Sequence, residues 1–386
     1  MRVAFVHDWL TGMRGGEKVL ELLMEDFPDA PLYTLLHVPG SVSPAIEAHP
    51  IRTSFVQHLP GAARRYRHYL PLFPTAIESL DLSRFDLVVS SSHCVAKGVR
   101  LRPGTRHLCY CHAPMRYAWD QYDAYFGDRT DFVGRQVLPR VMARLRAWDR
   151  RSAHRAQRYL ANSENVRAKL ERFWNLPAAR TRVLHPPVDA AFYTPGEPGD
   201  DLPAGLRPGG YLLLVSAMVP YKRLDLALAA VAGTGDALVV AGDGPDAARL
   251  RGLAAGAGNI HFVGRPSDDT LRALYRGARA FLLPGEEDFG ITPLEAQACG
   301  APVVALGAGG ALETVVDGET GLFFATPSAA SLREALDRFA ARDWDPARCR
   351  AQAERFGKDR FRAAFRRELE DFLGGPPPVQ RGSAAP

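Results

Sequence analysis

The chain has 386 residues, 46% hydrophobic and 24% charged, with a net charge of +5. This is ordinary globular composition, long enough for two domains with cores of their own. No apolar run reaches the roughly 18 residues of a membrane span. The five cysteines, Cys94, Cys109, Cys111, Cys299 and Cys349, are scattered. That argues against a disulfide framework or a zinc site and fits a reducing cytoplasm. The charge is uneven: residues 1–190 carry 27 Lys and Arg against 18 Asp and Glu, the remainder 21 against 25. A basic first half predicts that this half meets an anionic surface.

Arg2–Val6 reads as a first strand and not a signal peptide, because His7-Asp8 interrupts its apolar run. Gly16–Asp26 follows as a helix with Val19, Leu20, Leu22 and Leu23 on its apolar face. Phe85–Ser90, Arg106–Cys111, Arg158–Ala161 and Thr181–Leu184 read as strands, and Arg135–Gln157 as a long arginine-rich helix. The stretch Asp189–Gly210 has the Pro, Gly and Asp content of a linker. A second series of strands follows: Tyr211–Ser216, Ala237–Ala241, Asn259–Val263, Ala280–Leu283 and Pro302–Ala305. All but the last are trailed by a helical pattern. The alternation predicts an α/β protein: two Rossmann-like, doubly wound parallel-sheet domains, 1–190 and 211–355, joined by a linker at 191–210 and facing across a cleft. The Pro- and Gly-rich tail, 375–386, is expected to be disordered.

Ligands of such sheets sit beyond the carboxyl ends of the strands, so the loops there carry the candidates. In GEEDFGITPLEAQACG, Thr292-Pro293-Leu294-Glu295 has the spacing of a capping box, and one reading gives Glu295 no other task. The other reading is an anion site. Gly290, Ile291 and Thr292 bring backbone N–H groups to a helix N-terminus, flanked by Glu287 and Glu295. Carboxylates around a bound diphosphate suit the hydroxyls of a nucleotide-sugar. Lys222 and Arg223 follow the Tyr211–Ser216 strand and suit the same diphosphate. Gly15-Gly16, after the first strand, lacks both common phosphate-loop patterns and is a weaker candidate. His112 leaves a strand directly, and Tyr117 and Trp119 lie in an aromatic stretch beside it on which a sugar could rest.

These blocks together resemble the retaining family-4 glycosyltransferases of the GT-B fold. Glu287 and Glu295 match the E-x7-E element, and VPYKRLDLA, VVAGDGP, HFVGRPSDD, CHAPMRYAWDQY and SSSHCVAKG follow in family-like form. The resemblance covers nearly all of residues 1–374. It implies that Glu287 holds donor-sugar hydroxyls and Glu295 the ribose. Lys222, Gly16 and the backbone from Phe289 to Thr292 would hold the diphosphate, Gly264-Arg265 would lie beside the base, and His112 near the sugar and acceptor. It also implies a C-terminal helix, within 356–374, crossing back to the first domain. One departure stands out: many relatives carry an arginine five residues before the lysine, where this chain has Ala217.

The implied activity is retaining transfer of a hexose, with no cofactor beyond the nucleotide-sugar and no metal; the D-W-D at 343–345 reads as coincidence. The PMRY and VPYKR blocks look most like bacterial surface-polysaccharide mannosyltransferases, which points to GDP-mannose; a UDP-sugar donor, or a nucleotide-sugar-binding protein with decayed catalysis, stays open. The expected partners are a glycan or lipid-linked acceptor and an anionic membrane surface, with no nucleic acid. Arg64, Arg65 and Arg67, among Tyr, Leu and Phe, and the arginine-rich helix supply the basic amphipathic pattern. A merely solvated basic face accounts for the same residues. The expected location is the cytoplasm, at the inner face of the plasma membrane.

Overall fold

The computed structural model describes residues 1–122, 132–203 and 205–375. The expected disordered tail lies, but for its first residue, outside them, as does the side chain of Arg135. The chain forms two compact units, Met1–His185 with Phe361–Pro386, and Pro186–Arg360.

The first unit is built on seven parallel strands: β1 (Val3–His7), β2 (Leu32–Thr34), β3 (Ile51–Thr53), β4 (Leu87–Ser92), β5 (Arg106–Cys111), β6 (Arg158–Ala161) and β7 (Thr181–Val183). Their order is β3-β2-β1-β4-β5-β6-β7. The inner strands are apolar almost throughout because helices cover both faces. On one face Val3, Phe5 and Val89 meet Leu20 and Leu23 of the helix Gly15–Met24. The C-terminal helix Lys358–Leu373 sends Phe361, Phe365 and Leu369 into the same cluster. Each such side chain contributes about 1.5–3 kcal/mol by leaving water. The flanking pairs Arg362–Glu25 and Arg366–Asp26 fix the helix register more than they stabilise it.

On the other face the helix Phe132–Ala153 carries Met142, Leu145 and Trp148 into a second cluster. The one acid at its C-terminal end, Asp149, is fully buried and takes Lys97, also fully buried, at 2.5 Å. Trp119 and Trp174 donate their indole N–H groups to Asp149 at 2.7 and 2.6 Å. The Lys97 ammonium lies over the rings of Trp148 and Trp174. Lone in a basic sequence, Asp149 is the anchor of the helix.

The second unit has six parallel strands: β8 (Tyr211–Val215), β9 (Ala237–Ala241), β10 (Ile260–Gly264), β11 (Ala278–Leu283), β12 (Val303–Leu306) and β13 (Gly321–Phe324), in the order β10-β9-β8-β11-β12-β13. The stretch read as a linker at 191–210 belongs to this unit. Arg276 ties it down through the Thr194 carbonyl and hydroxyl at 2.8 Å each and the Glu197 carbonyl at 3.2 Å. Asp189 already takes Lys358 of the same unit, so the break falls at His185 and not at residue 190.

In each sheet the strand order reverses once, between β1 and β4 and between β8 and β11. Loops diverge at such a point and leave a crevice at the carboxyl ends of the strands.

Candidate active site

In the second unit, Lys222 follows β8 and Glu287 follows β11, one on each side of the reversal. The Lys222 ammonium is paired with Glu287 Oε1, and both side chains are largely buried. The loops carrying them touch closely: a side chain on Gly285 would meet the Lys222 carbonyl oxygen at 2.6 Å, so only glycine fits. The Glu287 carbonyl accepts from Gly310 N at 2.8 Å, which ties the β12 loop to the same spot.

The chain then turns through Gly290, at φ +87°, into the helix Thr292–Ala298. The N–H groups of Gly290, Ile291 and Thr292 donate to no protein acceptor among the described residues. The capping-box reading of Thr292 and Glu295 does not hold. The N-cap is Ile291, Pro293 is the second helical residue, and no side chain caps the end. Glu295 therefore falls one position too far along to reach back. It is buried instead, and its Oε2 accepts from the Tyr275 hydroxyl at 2.8 Å. Burial, reinforced by the Glu295 charge, pushes the Tyr275 phenol well up, so it stays a donor. Tyr275, in the helix Asp268–Gly277, is the neighbour of the candidate site that sequence reasoning missed; its one signal was a tyrosine on the buried side of an amphipathic helix.

Arg223, next along the loop, takes a carboxylate of its own. Its backbone is left-handed, at φ +53°, and its guanidinium turns back onto Asp225 at 3.2 Å. Ala217 is exposed. Gly264 ends β10 at φ +69° and Arg265 beside it is exposed. The D-W-D stretch is structural: Trp344 stacks on Phe339, and Asp345 caps the helix Pro346–Glu354 through Ala347 N at 2.9 Å.

In the first unit, His7 closes β1, Ser91 lies in β4 and His112 follows β5, all at the reversal. Ser91 Oγ lies 3.1 Å from His7 Nδ1 and 2.8 Å from His112 Nε2. His7 Nε2 faces Glu17 Oε1 at 3.7 Å. Gly15 and Gly16 open the first helix over this group: a side chain on Gly16 would sit 3.8 Å from both the His112 and His7 rings. Asp8 accepts from four backbone N–H groups, those of His93, Cys94, Val95 and Ala96, at 2.6 to 3.0 Å, and so fixes the loop after β4. Burial, with the neighbouring His93 and His7 imidazoles and the Arg116 guanidinium behind it, holds the His112 imidazole well below its usual range, so it is neutral.

The aromatic edge expected from Tyr117 and Trp119 is turned inward. The Tyr117 hydroxyl meets Cys94 Sγ at 2.6 Å, and Trp119 is held by Asp149 and stacks on Phe173. Burying these rings gains more than leaving them as a platform. Arg64, Arg65 and Arg67 are exposed, while Tyr66 and Phe73 between and beyond them pack on Trp9. The arginine-rich helix and the residues after it are less free than their sequence: Arg146 binds the Ala118 carbonyl, Arg155, past the helix end, pairs with Glu78 at 2.8 Å, and Arg158, opening β6, with Asp371 at 2.5 Å. Arg140, Arg144, Arg150 and Arg151 stay exposed.

Two doubly wound parallel sheets of this topology are those of the GT-B fold, and solved structures agree. HepE of Anabaena in complex with UDP superposes with a TM-score of 0.68 at 16% identity, over 96% of this chain and all of that one. The lipopolysaccharide glycosyltransferase WaaG gives 0.64 at 19%, over 97% of this chain and all of that one. Residues 13–192 match Glycosyltransferase Family 4 and residues 208–356 match Glycosyl transferases group 1, and the chain belongs to this family. Among curated relatives, the D-inositol 3-phosphate glycosyltransferase of Actinosynnema mirum is 34% identical over 205 residues, 48% of this chain and 49% of the relative. That of Frankia alni is 36% identical over 203 residues, 47% and 49% of the two chains. The chain spans about half the length of the curated relatives it matches.

Proposed function

We propose that this glycosyltransferase moves a hexose from a nucleoside-diphosphate sugar to a glycan or lipid-linked acceptor with retention of configuration, in cell-surface glycan synthesis. The observation that carries the reading is the Lys222–Glu287 pair at the β8/β11 reversal, beside the three backbone N–H groups of 290–292. A diphosphate would draw Lys222 off Glu287, which frees the carboxylate to accept from sugar hydroxyls. Glu295, held by Tyr275, would take the ribose. The C1–O bond to the diphosphate breaks and the acceptor C1–O bond forms on the same face. The acceptor's proton ends on the departing diphosphate oxygen. Lys222 and the N–H groups stabilise the charge that develops there, so the proposal calls for no metal.

The sequence blocks favour GDP-mannose as donor. A UDP-sugar is the second reading, favoured by UDP in the HepE structure. For the acceptor, the relatives' name favours a phosphorylated cyclitol as the second reading. Turnover of each donor, followed by proton NMR, tests the mechanism: the first-formed sugar product keeps the donor's anomeric configuration. An inverted first product rules out retention.

We further propose that the enzyme works on the cytoplasmic face of a membrane, with Arg64, Arg65 and Arg67 against anionic headgroups. Reversing all three to glutamate is expected to release the protein from phosphatidylserine vesicles at low salt. Wild-type protein that never co-sediments with such vesicles removes this part.

A further inference from the structure

His112 has two ring nitrogens, and only one is spoken for. Nε2 meets Ser91 Oγ at 2.8 Å, while Nδ1 takes no partner among the described residues. Whether Nδ1 carries a proton decides whether it accepts or donates a hydrogen bond there. The serine hydroxyl has one proton and two imidazole neighbours, so it donates to one and accepts from the other. The direction is set elsewhere. His7 Nε2 is buried, has no hydrogen-bond partner among the described residues, and faces Glu17 Oε1 at 3.7 Å. A carboxylate there favours N–H on Nε2 and leaves His7 Nδ1 as an acceptor. Ser91 must then donate to His7, and must accept from N–H on His112 Nε2. Nδ1 of His112 is left with its lone pair.

We infer that Glu17, through His7 and Ser91, fixes His112 in the Nε2–H tautomer and so makes Nδ1 a hydrogen-bond acceptor. Glu17, His7 and Ser91 are positioning residues: in this reading none touches substrate, and each sets the face that His112 presents. The other charged group of the cluster, Asp8, lies 3.2 Å from His93 Nδ1 and satisfies four backbone N–H groups, so it does not compete for this chain. Burial raises the Glu17 carboxyl, but the His7 imidazole and the neighbouring His93 outweigh it and hold the group below its ordinary value. It is therefore ionised at neutral pH. What an acceptor at Nδ1 would serve, a sugar hydroxyl, rests on the transferase reading; the tautomer itself does not.

A conservative change reads the chain. Glu17 Oε2 accepts from Arg14 N at 3.0 Å at the start of the first helix. In Glu17→Gln that N–H selects the amide oxygen, which turns the NH2 toward His7. His7 Nε2 must then be the acceptor, Ser91 must donate to His112, and His112 must carry its proton on Nδ1. Two-bond 1H–15N spectra of 15N-histidine-labelled full chain, with His112 assigned by loss of its signals in His112→Gln, are expected to show Nε2–H in the wild type. They are expected to show Nδ1–H in Glu17→Gln, and no response to Glu17→Gln once Ser91→Ala has cut the chain. Nδ1–H in the wild type, or the same tautomer with and without the Glu17 carboxylate, overturns the inference. Where transfer is measurable, Glu17→Gln is expected to lower kcat roughly 10–100-fold, by analogy with the partners that orient metal-bound histidines. It should leave nucleotide affinity unchanged. A reversed tautomer with unchanged kcat upholds the chain of protons and refutes a role for His112 Nδ1 in transfer.

Discussion

Lys222→Ala is expected to lower kcat by roughly 10²–10³-fold, the range for removing one preorganised group that stabilises transition-state charge. The second unit should stay folded in this variant. Lys222 sits on a short turn between β8 and its helix, and its side chain contributes no packing to the strand core around Leu212, Leu214 and Val240. Its one ion pair among the described residues is with Glu287, whose carboxylate keeps some access to water. The effect on kcat separates two accounts of the pair. If Lys222 serves the departing diphosphate, kcat falls far more in Lys222→Ala than the melting temperature does, and Lys222→Arg restores only part of it, because a guanidinium is wider than an ammonium. If the pair is only a strut between two loops, Lys222→Ala and Glu287→Gln should lower stability alike and spare turnover.

Lys97→Met is expected to destabilise the first unit by about 3–5 kcal/mol, the cost of stranding one member of a buried ion pair. Lys97 and Asp149 are both fully buried, so no water replaces the lost ammonium. The two indole N–H groups on Asp149 remain and offset part of the loss. The double variant Lys97→Met with Asp149→Asn should therefore cost less than the two single changes added together, since the uncompensated charge is gone. Denaturant unfolding followed by tryptophan fluorescence is the readout, because Trp119, Trp148 and Trp174 surround the pair. A loss under 1 kcal/mol for Lys97→Met would mean that the aromatic cage, and not the charge, holds the helix.

Strands with runs such as FDLVVS and YLLLV were legible from sequence because they are buried on both faces and read as continuous apolar stretches. β2 and β3 were not: each has three residues, and Leu32–Thr34 and Ile51–Thr53 offer too short a pattern against the surrounding turns. The loops of the second-unit candidate site stood out because lysine, glutamates and glycines at strand ends have little structural excuse. Glu295 was misread in one respect, because the TPLE spacing fits a capping box while the helix begins a residue earlier. What replaces the box is a contact across 20 residues, from Tyr275, and no local pattern reports it. Tyr117 and Trp119 failed differently: an aromatic run looks the same whether it faces a ligand or a buried aspartate. The buried Asp149 shows the same limit, because nothing in an arginine-rich helix marks its one acid as buried. Its partner Lys97 is 52 residues away.

The account stands on the nucleotide-sugar site of the second unit, and a thermal-shift panel of GDP, UDP, ADP and their sugar conjugates tests it most directly. A ligand that binds only the folded state adds roughly 2.7 kcal/mol at about 100 times its dissociation constant. For a domain of this size that is a rise in Tm of roughly 5–10 °C. The account predicts such a rise with GDP and GDP-mannose, or in the second reading with UDP and a UDP-sugar, and its loss in Lys222→Ala. No rise with any nucleotide, in a protein whose own melting is cooperative, would contradict it and bring the exposed Ala217 forward as the mark of a site that no longer binds.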